Sequence, residues 1–249
     1  MTKAERGVTP ALRRFATVDS TSDEARRLAL AGEQGPLWIV ADEQTKGRGR
    51  RGRSWISQRG NLFATLLLTD VPSLDRCAQL SFVAALAVGD TVAHFAPNAG
   101  IALKWPNDVL LDGRKAAGIL LESSPHSGLG RHWIGVGIGV NLQHFPAGTE
   151  FPATSLAAVT GTAPSRDDAV NRLGAQWDRW FATWQDQGFP PVREAWLARA
   201  AGLGDKIWAR SAETEIHGVF ETLDSDGALI LRTPDRKLTR ITAGEVFFA

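Results

Sequence analysis

The sequence predicts an α+β fold: a mixed central β-sheet backed by helices over residues 1–203, followed by a small β-barrel over residues 204–249. Three observations carry this expectation. Short apolar, β-compatible runs bounded by glycine or polar residues recur through the first half of the chain. Longer segments with apolar residues at spacings of three and four lie between and after them. Beyond Gly204 the pattern changes to brief strand-like runs separated by turn residues. Strands and helices do not alternate strictly, which favours a mixed sheet over a doubly wound parallel one.

Thr21-Ser22-Asp23-Glu24 has the form of a capping box, and Ala25, Leu28 and Ala29 continue it as a helix up to Gly32. Leu37–Ala41 and Leu62–Leu68 read as buried strands. A long helix is expected from Asp75 to about Phe95, then strands at Ile101–Lys104, Val109–Leu111, Ala116–Glu122 and Trp133–Val140. Between Asp167 and Gln187, Leu173, Trp177, Trp180, Phe181 and Trp184 mark the buried side of an amphipathic helix that stops at Gly188. A shorter helix over Pro191–Ala200 leads into Ala201-Gly202-Leu203-Gly204-Asp205, the expected domain boundary. Strands at Lys206–Arg210, Ile216–Thr222, Ala228–Arg232, Leu238–Ile241 and Glu245–Phe248 follow, with Asp226-Gly227 as a hairpin turn.

Composition excludes several classes of function. Apolar residues at 43% and charged residues at 22% of 249 belong to a folding globular chain. A net charge of +1 supplies no general field toward nucleic acid or an anionic membrane. The charge is nonetheless uneven. Lys46, Arg48, Arg50, Arg51 and Arg53 crowd into one acid-free segment, and removing these five from the 28 basic side chains leaves the rest, with its 27 acids, mildly acidic. Cys77 is the lone cysteine, so no intrachain disulfide or cysteine-based zinc site is possible and a reducing compartment, the cytoplasm, is expected. The N-terminus lacks a signal-like apolar segment, and Gln79, Ser81, Asp90 and His94 interrupt the most apolar stretch.

The sharpest motif is Gly47-Arg48-Gly49-Arg50-Arg51-Gly52-Arg53-Ser54-Trp55. Guanidiniums on a glycine-rich backbone offer many donors to phosphate or carboxylate oxygens. A phosphate-binding loop of the G-x-x-x-x-G-K type needs a lysine where Arg53 stands and a helix where a strand follows. An RNA-binding Arg/Gly tract would repeat, and a solvated charged loop is the plainest alternative. In Lys104-Trp105-Pro106-Asn107-Asp108 and Asp112-Gly113-Arg114-Lys115, two turns carry a lysine on each side of one hairpin. Gly135, Gly137 and Gly139 alternate in a strand, so something must approach that face closely, either a packed helix or a flat ligand. No H-E-x-x-H or G-x-S-x-G occurs.

Taken together, Asp19-Ser20-Thr21, Gln44 before GRGRRGRSW, KWPNDVLL, RKAAGILLE and GVGIGVNL resemble the biotin protein ligases in order and spacing over about residues 15–160, and the β-rich tail resembles that family's C-terminal domain. The resemblance implies a two-step enzyme. Biotin and ATP give biotinyl-5′-adenylate and pyrophosphate, then a lysine of a biotin carboxyl carrier protein, of acetyl-CoA carboxylase or a related carboxylase, takes the biotinyl group. It further implies Lys115, Arg48 and Arg50 as catalytic cations. Ser20, Thr21, Ser22, Gln44, Gly49 and Gly118 join them around biotin. Arg53, Trp55, Trp105, Asn107 and Asn141 match the nucleotide side, together with Arg50 and Lys115, and Asp108 matches a position beside magnesium.

Ser22 stands where many relatives have asparagine, and residues 145–154 match no motif, which leaves the adenine-side loop unassigned. With about 14 residues before the first core motif, a ligase without the helix-turn-helix of the ligase–repressors is expected, with no nucleic-acid or membrane partner, as a monomer or homodimer. Lipoate and octanoate transferases are the nearest alternative. Glycines make residues 47–54 costly to order without a ligand. Limited proteolysis is therefore expected to cut this loop more slowly with biotin plus ATP than without; equal rates would contradict this.

Overall fold

The computed structural model describes residues 10–71, 74–126, 131–211 and 214–248. The N-terminal segment read above for a signal sequence lies partly outside them. Seven strands form one sheet in the order β1-β2-β3-β7-β6-β5-β4 (Ala11–Phe15, Leu37–Ala41, Leu62–Val71, Arg131–Val140, Arg114–His126, Asp108–Leu111 and Ile101–Lys104, respectively). Only β1 and β2 pair in parallel; every other neighbour is antiparallel, so the sheet is mixed as expected.

The two faces follow from the period of two along each strand. Leu37 and Ile39 of β2 and Leu67 of β3 point to α1 (Thr21–Leu30), where Ala25 and Ala29 complete a small core with Trp133. Trp38, Val40, Leu62, Ala64 and Leu66 point the other way, into the main core. That core is built on α2 (Leu80–Phe95), α4 (Arg166–Gln187) and α5 (Phe189–Leu197), with a short α3 (Leu156–Thr160) after β7. β2 is buried throughout because both of its faces are covered.

The start of α1 differs from the expectation by one residue. Ser20, not Thr21, is the N-cap, its Oγ accepting from Ser22 N at 3.2 Å, while Thr21 and Ser22 enter the helix. α2 begins at Leu80 after a 3₁₀ turn at Cys77–Gln79. Residues Cys77–Phe95 are apolar and long enough to cross a membrane by composition, yet 67% of that window is buried inside the protein. Asp90, the single carboxylate on this helix, accepts from Trp180 Nε1 at 2.7 Å and pairs with Arg199 at 2.5 Å and with Arg179. Those bonds pin α2 to α4 and to the segment beyond α5.

That segment also covers an edge. Leu103 of β4 forms a parallel bridge with Ala200, donating to Arg199 O at 2.8 Å and accepting from Ala201 N at 2.9 Å. The chain then enters a five-stranded antiparallel sheet, order β11-β10-β9-β8-β12 (Leu238–Ile241, Leu229–Arg232, Glu215–Leu223, Lys206–Arg210, Glu245–Phe248). Where the turn pattern predicts a small β-barrel, the strands form this five-stranded antiparallel sheet, and Leu203 bridges to Phe220 at its entrance.

Trp177 anchors the helical layer: it is 1% exposed, meets Trp38 edge-on at 6.3 Å and stacks on Phe181 at 5.3 Å. Trp177→Ala removes a fully buried indole and leaves a cavity; denaturant unfolding is expected to show a loss of about 3–5 kcal/mol.

Candidate active site

A cavity of about 350 Å³ opens on the α1 side of the sheet, and each residue named above for biotin, nucleotide or metal lines it. The polar end is made by the start of α1. Gln44 Oε1 accepts from Thr21 N at 2.8 Å and Thr21 Oγ1 at 3.1 Å, and Gln44 Nε2 donates to Ser57 Oγ at 2.8 Å. Thr65 Oγ1 donates to Thr21 Oγ1 at 2.9 Å and lies 3.4 Å from Ser22 Oγ. Ser20, Thr21 and Ser22 are all buried, so a fixed set of donors and acceptors faces inward at a helix N-terminus.

The floor explains the alternating glycines. Gly118 of β6 and Gly139 of β7 are cross-strand partners. A Cβ at Gly139 would sit 2.6 Å from Trp55 Cε2, and one at Gly118 would sit 2.9 Å from Trp55 Cζ3. The close neighbour is thus the chain's own tryptophan, laid over the bare strands. Two pairs further on, a Cβ at Gly137 would meet Ser22 Oγ of α1 at 2.9 Å. Of the two expected neighbours of the glycine face, the packed helix is found at Gly137, while at Gly118 and Gly139 the close neighbour is the side chain of Trp55.

The Gly/Arg loop closes on itself through Gly49 N to Arg53 O at 2.7 Å and Trp55 N to Gly47 O at 2.9 Å. Its tip passes through the left-handed region at Arg51 (φ 54°) and Gly52 (φ 73°). Three of its arginines then point to different elements. Arg48 pairs with Asp23 at 3.0 Å and with Glu122. Arg50 donates to Asn107 Oδ1 at 3.1 Å and Gly244 O at 3.3 Å, and burial pulls its guanidinium below its usual range, with Arg51 adding to the effect. Arg53 pairs with Glu245 of β12.

Lys115 Nζ pairs with Asp108 Oδ1 at 2.7 Å and stands 5.5 Å from the Trp55 ring centroid. Asn107 Nδ2 donates to Ile119 O at 2.6 Å, which fixes the turn between β4 and β5 beside β6. Asn141 spends its amide on Thr154 O at 3.0 Å, and Lys115 N donates to Pro152 O at 2.8 Å, so the loop from 145 to 154 is tied along the cavity wall. Trp105 is buried with its indole N–H committed to Gly227 O at 3.0 Å; it supports the wall against the small sheet.

Sequence reasoning gave no role to Lys104, Glu150, Phe151, Glu245 or Phe247, all of which line the cavity. Lys104 opens the KWPND motif, next to Trp105, Asn107 and Asp108. The other four come from an unmatched loop and from the last strand, where nothing local marks them.

Lys104 is 6% exposed, and burial pushes its ammonium down to about 8 from 10.5, with Lys115 and Arg53 helping and Asp108 and Glu150 opposing. A base with a depressed folded value leaves the unfolded chain holding more protons between those two pH values, so stability rises with pH across that window. Relative to Lys104→Met, the wild type is expected to gain about 2 kcal/mol of denaturant stability between pH 7 and about 9.5.

Comparison with known proteins places this architecture. Residues 15–141 match the biotin/lipoate A/B protein ligase family, and residues 207–249 match the biotin protein ligase C terminal domain. The chain is 48% identical to the biotin--[acetyl-CoA-carboxylase] ligase of Paracoccus denitrificans over 94% of this chain and 99% of that protein. It is 35% identical to a bifunctional ligase/repressor of Bacillus spizizenii over 88% of this chain and 68% of that one. Its fold superposes on the biotin protein ligase of Aquifex aeolicus in complex with biotin and ATP with a TM-score of 0.83 at 28% identity, covering 96% and 99% of the two chains. With both domains matched and a relative aligned nearly end to end, the chain belongs to the biotin protein ligase family.

Proposed function

We propose that the chain joins biotin to ATP as biotinyl-5′-adenylate and then passes the biotinyl group to a lysine on the biotin carboxyl carrier protein of acetyl-CoA carboxylase or a related carboxylase, in the cytoplasm. The observation that carries this reading is one cavity with a neutral polar end at α1 and a cationic end at Lys115 and Arg50, joined by Trp55 lying on a floor of glycines. A ureido ring, uncharged yet rich in donors and acceptors, suits Ser20, Thr21, Ser22 and Gln44. The apolar ring and chain suit Trp55 and the strand faces. The carboxylate then reaches the cations.

In the first step a biotin carboxylate oxygen bonds to the α-phosphorus of ATP, the bond to the β-phosphate oxygen breaks, and pyrophosphate leaves. Two anions must meet, so Lys115, Arg50 and Arg48 offset their repulsion and the charge that develops at the α-phosphate. In the second step the neutral acceptor amine bonds to the acyl carbon, the carbon–oxygen bond to AMP breaks, and the amine loses a proton. The mixed anhydride is sensitive to water, which makes a loop able to cover it useful.

No group of three His, Cys, Asp or Glu side chains gathers among the described residues. Asp108, which pairs with Lys115 on the cavity wall, is the carboxylate that would hold a magnesium ion. Such an ion supplies charge neutralisation at the phosphates. The loop from 145 to 154, with Thr149 and Phe151 on the cavity wall and Asn141 holding its far end, is assigned to the adenosine side.

Pyrophosphate exchange into ATP isolates the first step. Exchange is expected with biotin and not with lipoate or octanoate, and Lys115→Ala is expected to lower it by about 100-fold or more. Exchange supported by lipoate alone would keep the chemistry and change the acid; none with any acid would refute the reading.

A further inference from the structure

A second cavity, of about 360 Å³, adjoins the first. It opens between the start of α2 at Ser81 and Phe82, the edge of β6 at Leu121, and the β9–β10 turn at Asp226-Gly227. Arg50, Trp105, Pro106, Asn107, Ile119 and Leu120 line both cavities and so form the wall between them. Asn107 fixes this wall to β6, its backbone O accepting from Ile119 N at 2.9 Å and its Nδ2 donating to Ile119 O at 2.6 Å. Arg50 completes the wall, and its bonds are of a different kind from those of its neighbours. Arg48, Arg53 and Lys115 each pair with a carboxylate, whereas Arg50 donates to two neutral oxygens, Asn107 Oδ1 at 3.1 Å and Gly244 O at 3.3 Å. A neutral acceptor competes poorly with an anion for a guanidinium.

The second half-reaction poses a problem of access. Biotin and ATP occupy the first cavity, and a loop that covers the mixed anhydride against water also stands in the way of a protein side chain. The second cavity reaches the same cationic end from another direction, through the wall that Arg50 completes. We infer that it is the port through which the acceptor lysine of the carrier protein reaches the acyl carbon of the adenylate. Arg50, drawn from Asn107 to the adenylate, leaves the wall open. The lining suits a lysine: Phe82, Trp105 and Leu121 offer apolar surface to its methylene stem, and Asp226, its side chain 72% exposed, offers a carboxylate to the incoming ammonium. A folded carrier domain can come up to this opening, because among the described residues no strand pairs with β6 on the β5 side beyond Gly118. This rests on the adenylating reading above and assigns the entry of its third substrate.

Filling the port separates the half-reactions. Ser81 and Thr242 line the second cavity and not the first. In Ser81→Trp and Thr242→Trp, transfer from supplied biotinyl-5′-adenylate to the carrier protein is expected to slow by about 10-fold or more, while pyrophosphate exchange and transfer to hydroxylamine, a small nucleophile, stay within about 2-fold of wild type. Ser81→Ala, which leaves the cavity open, is expected to transfer as the wild type does. Unchanged carrier transfer in both tryptophan variants would overturn the inference. So would an equal loss in all three reactions, which would mark damage to the first cavity. Should the variants fail to fold, the wild type decides. A carrier bearing a photo-crosslinking side chain at its acceptor position, mixed with protein holding a non-hydrolysable biotinyl-adenylate analogue, is expected to label Ser81, Ala228 or Thr242; labelling confined to Ile56 and Pro146, which line the first cavity alone, overturns the assignment. Wild-type protein without biotin-dependent exchange would remove the ligase reading itself, and the port with it.

Discussion

The constraint on which the structure turns is the crowding of cations into one cavity before any anionic substrate is there. Two like charges about 6 Å apart repel by roughly 3 kcal/mol at the effective dielectric near a protein surface. Five such side chains, Arg48, Arg50, Arg53, Lys104 and Lys115, line the same 350 Å³. The fold meets this by drawing carboxylates from separate elements: Asp23 from α1, Glu122 from β6, Asp108 from β5 and Glu245 from β12. Because the last of these belongs to the small C-terminal sheet, that sheet is part of the site's electrostatics rather than an appendage. Substrate phosphates and carboxylate then replace internal partners instead of meeting bare charge.

The same logic governs shape. Trp55 lies on a floor that only glycine permits at Gly118 and Gly139, and it enters there because the Gly/Arg loop folds back through short bonds between Gly47, Gly49, Arg53 and Trp55. The loop is therefore anchored at its base by a ring on the sheet and at its tip by Arg50 and Arg53, which reach Gly244 and Glu245. Both anchors depend on residues distant in sequence.

Much of this was legible beforehand where local periodicity decides structure. The buried strand β2, the amphipathic α4 and the strand β8 stand where their apolar patterns put them. β1 went unread because an edge strand of sequence Ala-Leu-Arg-Arg-Phe is mostly exposed and has no apolar alternation to show. The five-residue α3 is too short to display a helical period. The N-cap is Ser20 because the backbone is still extended there (φ −155°, ψ 140°) and its Oγ accepts from Ser22 N, while Thr21 is already the first helical residue. Within the site, motif residues were found because glycines, arginines and turn residues cluster in sequence. Glu245 and Phe247 were not, since nothing near them reveals that β12 ends at a cavity assembled about 190 residues earlier, as the bond from Arg53 to Glu245 across 192 positions shows.

The bridge between Leu103 and Ala200 has a consequence for the behaviour of the chain among its neighbours. An uncovered outer strand offers unpaired amides and carbonyls to any other chain, the usual route to intermolecular strand addition. At the β1 end Arg13 and Arg14 place charge on the rim, but β4 reads Ile-Ala-Leu-Lys and carries little such protection. Its shield is the connection to the small sheet, whose backbone takes up the hydrogen bonds of Leu103. Detaching the C-terminal sheet alone would leave this cover in place, because Arg199, Ala200 and Ala201 precede it; displacing that segment is what would bare an adhesive rim on the catalytic sheet.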